Sequence, residues 1–250
     1  MRKILIAGNW KMNMTVTEAS AFFQSFKITK SDKAELLFCP PFTDIPIARF
    51  FLDHSSIQWG AQNVYPKGKG AFTGEISPSM LKDLGCTYVI CGHSERRQIL
   101  GETDEFVARK VKAVLEGGMT PILCAGETAE ERKLGQTEER IGSEIRTALF
   151  ELSKEDVSSM VIAYEPIWAI GSGTAATPAD AEDISFFIRK TVKEVAGKKA
   201  AESIRILYGG SVTGDNIQSF LKEKDIDGGL VGGASLKPKD FLSIYEKACE

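Results

Sequence analysis

Eight short apolar runs, spaced almost evenly along the chain, constrain the fold more than any other feature. They cover roughly residues 4–9, 35–39, 57–62, 88–92, 120–124, 159–164, 204–208 and 228–231. Most are nearly continuous instead of alternating, the pattern of strands buried on both faces of a parallel sheet. Between them lie stretches of helical period. Phe106, Val107, Val111, Val114 and Leu115 form one apolar stripe in 104–116, and Ala181, Ile184, Ile188, Val192 and Val195 form another in 179–195. Thr177–Pro178 and Ser77–Pro78 read as an N-cap followed by proline at the first helical position. Gly117–Gly118 and Gly197 read as helix stops.

Spread over 250 residues, eight units take about 31 residues each, enough for a strand, a helix and their loops. A doubly wound open sheet and a closed barrel both satisfy such a series. The count and the length together favour the closed (β/α)8 barrel of the α/β class. No linker or shift of composition interrupts the series, so residues 1–250 are expected to form a single domain.

Composition removes other classes. The 31 basic and 34 acidic side chains leave a net charge of −3, without the basic excess of a nucleic-acid binder. No apolar run approaches the ~20 residues of a membrane span, and Ile4–Ala7 is too short for a signal peptide. Five cysteines, scattered and odd in number, fit a reducing cytoplasm better than a disulfide framework. The glycosylation pattern at Asn13–Met14–Thr15 is then chance. An anionic ligand would have to be held by local donors, since the global field does not attract it.

The polar groups able to do chemistry follow the apolar runs closely. Asn9 and Lys11 follow the first, His93 and Glu95 the fourth, and Cys124 and Glu127 the fifth; Glu165 ends the sixth. Gly209, Gly210 and Ser211 follow the seventh, and Gly232 and Gly233 the eighth. In a barrel all of these share the C-terminal rim, where such folds place their sites. Segment 171–176 fits a loose G-x-G-x-x-A pattern, but its first glycine lies well beyond the strand, so NAD binding is rejected. Walker A and zinc-type spacings are absent, and neither a metal nor a cofactor is expected.

Five segments carry a resemblance: Gly8–Asn9–Trp10–Lys11–Met12–Asn13, Gly92–His93–Ser94–Glu95–Arg96–Arg97, Ala163 to Gly171, Tyr208–Gly209–Gly210–Ser211 and Val231–Gly232–Gly233–Ala234–Ser235. In that order and across essentially the whole chain, the sequence resembles the triosephosphate isomerase family. The resemblance implies a (β/α)8 barrel that interconverts dihydroxyacetone phosphate and glyceraldehyde 3-phosphate through an enediol or enediolate, without a cofactor. It implies Glu165 as the base and His93 as the electrophile. Lys11 and Asn9 would complete the substrate site. The Ser94–Glu95 helix start is expected to lower the His93 pKa and keep the ring neutral; this family is itself the standard example of such tuning, so the logic is borrowed from it. Glu95 is expected to pair with Lys11. Ser94, Ile170 and Leu230 are expected to support the site.

By the same resemblance, Gly171, Ser211, Gly232 and Gly233 grip the phosphate, and Gly233 to Leu236 can open a short helix toward the anion. Residues 166–176 resemble the family's lid, with departures at Ser172 and at the far hinge Thr174–Ala175–Ala176. Ala125 departs from a usual branched residue and is expected to loosen packing there. Cys124 is expected to pack and not to react, and His54 is given no role. The long stretch 63–77, with Phe72 beside Thr73, is expected to dock on a second subunit. Thr73 would support the neighbour's site, and Glu75 and Arg96 would pair across a homodimer interface. A Schiff-base aldolase would need a lysine within an apolar run, and none has one. A non-catalytic scaffold would not need both Glu165 and His93.

Overall fold

The computed structural model describes residues 2–28, 31–170 and 176–250. Among these, eight strands follow the apolar runs: β1 (Ile4–Asn9), β2 (Ala34–Cys39), β3 (Gln58–Ala61), β4 (Tyr88–Cys91), β5 (Thr120–Ala125), β6 (Val161–Tyr164), β7 (Arg205–Tyr208) and β8 (Gly228–Val231). Neighbours pair in parallel in chain order. Pairing of β1 with β8, from Leu5↔Gly228 to Gly8↔Val231, closes the barrel and removes every sheet edge. The open-sheet alternative is thereby excluded.

The strands alternate between two cores. Leu5, Ala7, Leu37, Ile90, Ile122, Cys124, Val161, Ala163, Leu207 and Leu230 point inward and fill the barrel. Their odd-step neighbours, such as Ile6, Val89, Leu123, Ile162 and Ile206, face a larger outer core shared with the helices. Both faces are therefore dry, as continuous apolar runs require.

The helix signals act as the sequence suggests. Thr177 caps Pro178–Ala196 in a reciprocal capping box with Asp180, and Ser77 accepts the Met80 N–H at the start of Pro78–Asp83. Gly117 ends Asp104–Glu116, and Gly197 ends Pro178–Ala196 with φ of 91°. Two details differ. Val195 is exposed and Ala196 takes the buried position in the last turn. The stripe of Asp104–Glu116 includes Lys110, whose ammonium lies buried between Asn63 and Glu102 while Phe106 and Leu115 sit at its margins.

Candidate active site

Continuing the inward parity of each strand by one step generates much of the site. Leu5 and Ala7 lead to Asn9; Val161 and Ala163 lead to Glu165; Leu207 leads to Gly209; Leu230 leads to Gly232. These residues meet at one rim, around a cavity of about 640 Å³. Lys11, His93, Ser94, Glu95, Ile170, Ser211, Leu230 and Gly233 line it as well. Of the residues named from the sequence for catalysis or substrate, only Gly171 is not placed there. It lies outside the described residues, as do Ser172, Thr174 and Ala175 of the expected lid.

At Gly92 the chain adopts φ of 71° and turns His93 inward from the end of β4. His93 then caps the helix Ser94–Gln98. Its Nδ1 accepts the Glu95 backbone N–H at 3.2 Å, and its Nε2 lies 2.9 Å from Glu165 Oε1. Those contacts suit a neutral ring protonated on Nε2. Burial lowers the imidazole pKa, yet the Glu165 carboxylate and then Glu95 outweigh it, so the net shift is upward. The sequence expectation of a lowered value is thus corrected. It counted the helix terminus and could not see a buried carboxylate in contact with the ring.

Glu165 is only 2% exposed, and Ser94 donates its backbone N–H to Oε2 at 2.9 Å. Burial pushes the carboxyl pKa up. The His93 ring, the Ser94 N–H and Lys11 more than reverse this and hold it below the ordinary value. Its backbone is fixed from β5: the Glu165 N–H bonds the Ala125 carbonyl at 2.9 Å, and Gly126 packs directly on the Glu165 carbonyl.

Lys11 reaches across the rim to Glu95 Oε1 at 2.8 Å, the pairing the sequence suggests. Its backbone has φ of 53°, a left-handed conformation that costs a non-glycine residue on the order of 1–3 kcal/mol. Three neighbours hold it there. Asn9 Oδ1 accepts the Lys11 N–H at 3.0 Å, which leaves the Asn9 amide NH₂ for the cavity. Gln62 donates to the Lys11 and Cys39 carbonyls, both at 2.9 Å. Trp10, fully buried among Phe22, Phe23 and Phe38, donates Nε1–H to the Ser235 carbonyl at 3.1 Å. That bond ties the lysine loop to the short helix Gly233–Leu236. Gln62 stands in none of the sequence motifs, and Trp10 stands in the first of them without a role of its own. The only available signal was a polar residue closing the third apolar run and an aromatic between Asn9 and Lys11.

Cys124 is wholly buried and its thiol pKa is pushed well up by that burial, as a packing residue requires. Ala125 is likewise buried in the outer core. Glu127, beside the described part of the lid, accepts from Trp168 Nε1 at 2.9 Å and from the Tyr164 hydroxyl at 3.2 Å.

The stretch 63–77 is ordered by its own contacts. Tyr65 donates its N–H to the Ile76 carbonyl at 2.8 Å, and the Tyr65 and Phe72 rings lie 4.5 Å apart. Thr73 and Glu75 are exposed and are not among the residues that line the cavity. Within the chain, Arg96 pairs with Glu102 at 2.6 Å.

A closed barrel presenting a carboxylate, an imidazole and an ammonium around a cavity with glycine-rich turns is a barrel enzyme for a small anionic substrate. The chain belongs to the triosephosphate isomerase family, whose model matches residues 4–248. It is 48% identical over 248 residues to the triosephosphate isomerase of Dictyoglomus thermophilum, covering 98% of this chain and all of that one. It is 50% identical to those of a Roseiflexus species and of Endomicrobium trichonymphae, covering 98% of this chain in both cases and 97% and 99% of the relatives.

Proposed function

We propose that the protein interconverts dihydroxyacetone phosphate and D-glyceraldehyde 3-phosphate, the aldose–ketose isomerisation of glycolysis and gluconeogenesis, without a cofactor. The observation that carries this reading is the pair of Glu165 and His93, 2.9 Å apart in the cavity lining, with Lys11 and Asn9 lining the same space. Glu165 takes a proton from the carbon beside the carbonyl and returns it to the neighbouring carbon. His93 polarises the carbonyl with its Nε2–H, gives that proton to the carbonyl oxygen and takes back the proton of the neighbouring hydroxyl, so that carbonyl and hydroxyl exchange places. Lys11 offsets the negative charge that develops there, and Asn9 donates an amide N–H. Glu95 orients Lys11 through their ion pair, while Ser94, Ile170 and Leu230 shape the pocket.

Substrate has a second effect on this pair. When the His93 N–H turns to the substrate, Glu165 loses the contact that most strongly holds its pKa down. Its basicity rises as water is excluded. The phosphate is held by backbone N–H groups of Gly232, Gly233 and Ser211, with Gly171 contributed by the lid. The 63–77 loop, with Phe72 exposed beside Thr73, supports a homodimer in which Thr73 serves the neighbour's site and Glu75 meets Arg96. The five cysteines are all free, which supports a reducing cytoplasm. Residues 1–250 act as one domain.

A coupled assay with glyceraldehyde 3-phosphate tests the proposal. Desalted, chelator-treated protein should turn over freely; a well-folded but inactive protein would refute the reading. Sedimentation on dilution tests the dimer, and a fully active monomer would refute the role given to Thr73.

A further inference from the structure

Four charged side chains behind the site form a network that the mechanism above does not use. Arg97, on the helix that His93 caps, has its side chain only 7% exposed. It donates Nε–H to the Gly92 carbonyl at 2.7 Å and Nη2–H to the Cys124 carbonyl at 3.2 Å. One nitrogen thus grips the residue before His93, and the other grips the end of β5. Glu144, 1% exposed on the helix Thr137–Leu149, accepts the Gly126 backbone N–H at 2.9 Å. Arg140 donates to the same carboxylate at 2.8 Å, and Arg97 Nε lies 3.6 Å from it. Asp104 closes the circuit by accepting from both guanidiniums.

The two grips converge on the reacting pair. Gly126 packs so closely on the Glu165 carbonyl that a Cβ there would lie 1.8 Å from the oxygen. Its N–H therefore sets where the Glu165 backbone rests. Gly92 sets where His93 leaves β4. Stability alone does not require charge in this layer, since buried ions must first be stripped of water and apolar filling avoids that cost. What apolar side chains cannot do is fix a carbonyl and an N–H from two different strands relative to each other. We infer that Glu144 and Arg97 are positioning residues: together they set the separation of the His93 imidazole from the Glu165 carboxylate, and with it the rate of proton transfer.

This inference rests on the isomerase reading, and the test separates the two. Wild type, Glu144→Gln and Asp104→Asn are assayed together for kcat, KM, the inhibition constant of inorganic phosphate, and melting temperature. Wild-type inactivity would sink the isomerase reading itself. With wild type active, Glu144→Gln is expected to lower kcat at least tenfold while KM and the phosphate constant stay within about threefold, because Ser211, Gly232 and Gly233 of the phosphate grip follow β7 and β8, outside the network. Asp104→Asn, at the outer edge of the network, is expected to give the same split with a smaller loss. It carries the test if Glu144→Gln does not fold. A folded Glu144→Gln with wild-type kcat, or a fall in which kcat, KM and phosphate binding worsen together, would overturn the inference. With Glu144→Gln unfolded, wild-type kcat in Asp104→Asn would do so.

Discussion

Replacing Gly126 by alanine should damage catalysis far more than folding. The new Cβ would lie 1.8 Å from the Glu165 carbonyl oxygen and 2.8 Å from its carbon, and Cβ contacts essentially never fall below 3.0 Å. The two backbones must therefore part by at least about 1.2 Å, the difference between the closest of these contacts and that limit. Both are rigid main chain, so no flexible side chain can absorb the movement. The Glu165 N–H bond to the Ala125 carbonyl opens with it. A misplacement of ~1 Å costs about 10²-fold in rate, so kcat should fall by about that factor. Overpacking of this kind costs about 1–3 kcal/mol of stability, against ~5–15 kcal/mol for a folded domain. Most of the variant should stay folded, with a melting temperature lowered by a few degrees. Coupled-assay kinetics and a thermal melt on the same sample separate the two effects. A folded Gly126→Ala protein with kcat within about threefold of wild type would refute the claim that this contact places the base.

Three further outcomes follow from other parts of the chain. Lys110→Ala takes the buried ammonium from Glu102, which keeps Arg96, and should lower stability by about 1–3 kcal/mol, read as the shift in urea midpoint; an unchanged midpoint would contradict the pairing. Cys39, Cys86, Cys91 and Cys124 are buried, and burial pushes the Cys86 and Cys91 thiols up to about 12, so native protein should show one fast-reacting thiol, Cys249, and five after unfolding. Glu165, held below its ordinary 4.5 by His93 and the Ser94 N–H against burial, contributes stability that is fully present above that pH and is lost as pH falls through the folded value. Denaturant titrations should therefore show wild type losing its advantage over Glu165→Gln in acid, and a gap that widens there would contradict the sign.

The sequence made the scaffold and the rim legible for a simple physical reason. Strands buried on both faces write themselves as unbroken apolar runs, and the first polar residue after each run must leave the barrel at its mouth. Asn9 and Glu165 were visible in that way, and the turn at Gly92 brought His93 to join them. The charged groups behind the rim were not visible. Glu144 lies 47 residues from Arg97 and 18 from Gly126, and nothing periodic connects them. Nothing in the sequence marks Lys110 as buried, although its ammonium lies beside Glu102. The direction of the His93 shift was lost for the same cause, because it depends on Glu165, 72 residues away.

The proposed isomerisation depends on Glu165 as the group that moves the proton. Its main chain is fixed by Ala125 and Gly126 and its carboxylate by the Ser94 N–H and the His93 ring, so Glu165→Asp withdraws the carboxylate by about one methylene without disturbing the fold. Steady-state kinetics of that variant should show kcat reduced by about 10²-fold or more, with KM changed by only a few-fold. An Asp variant that retains wild-type kcat would contradict the account at its centre.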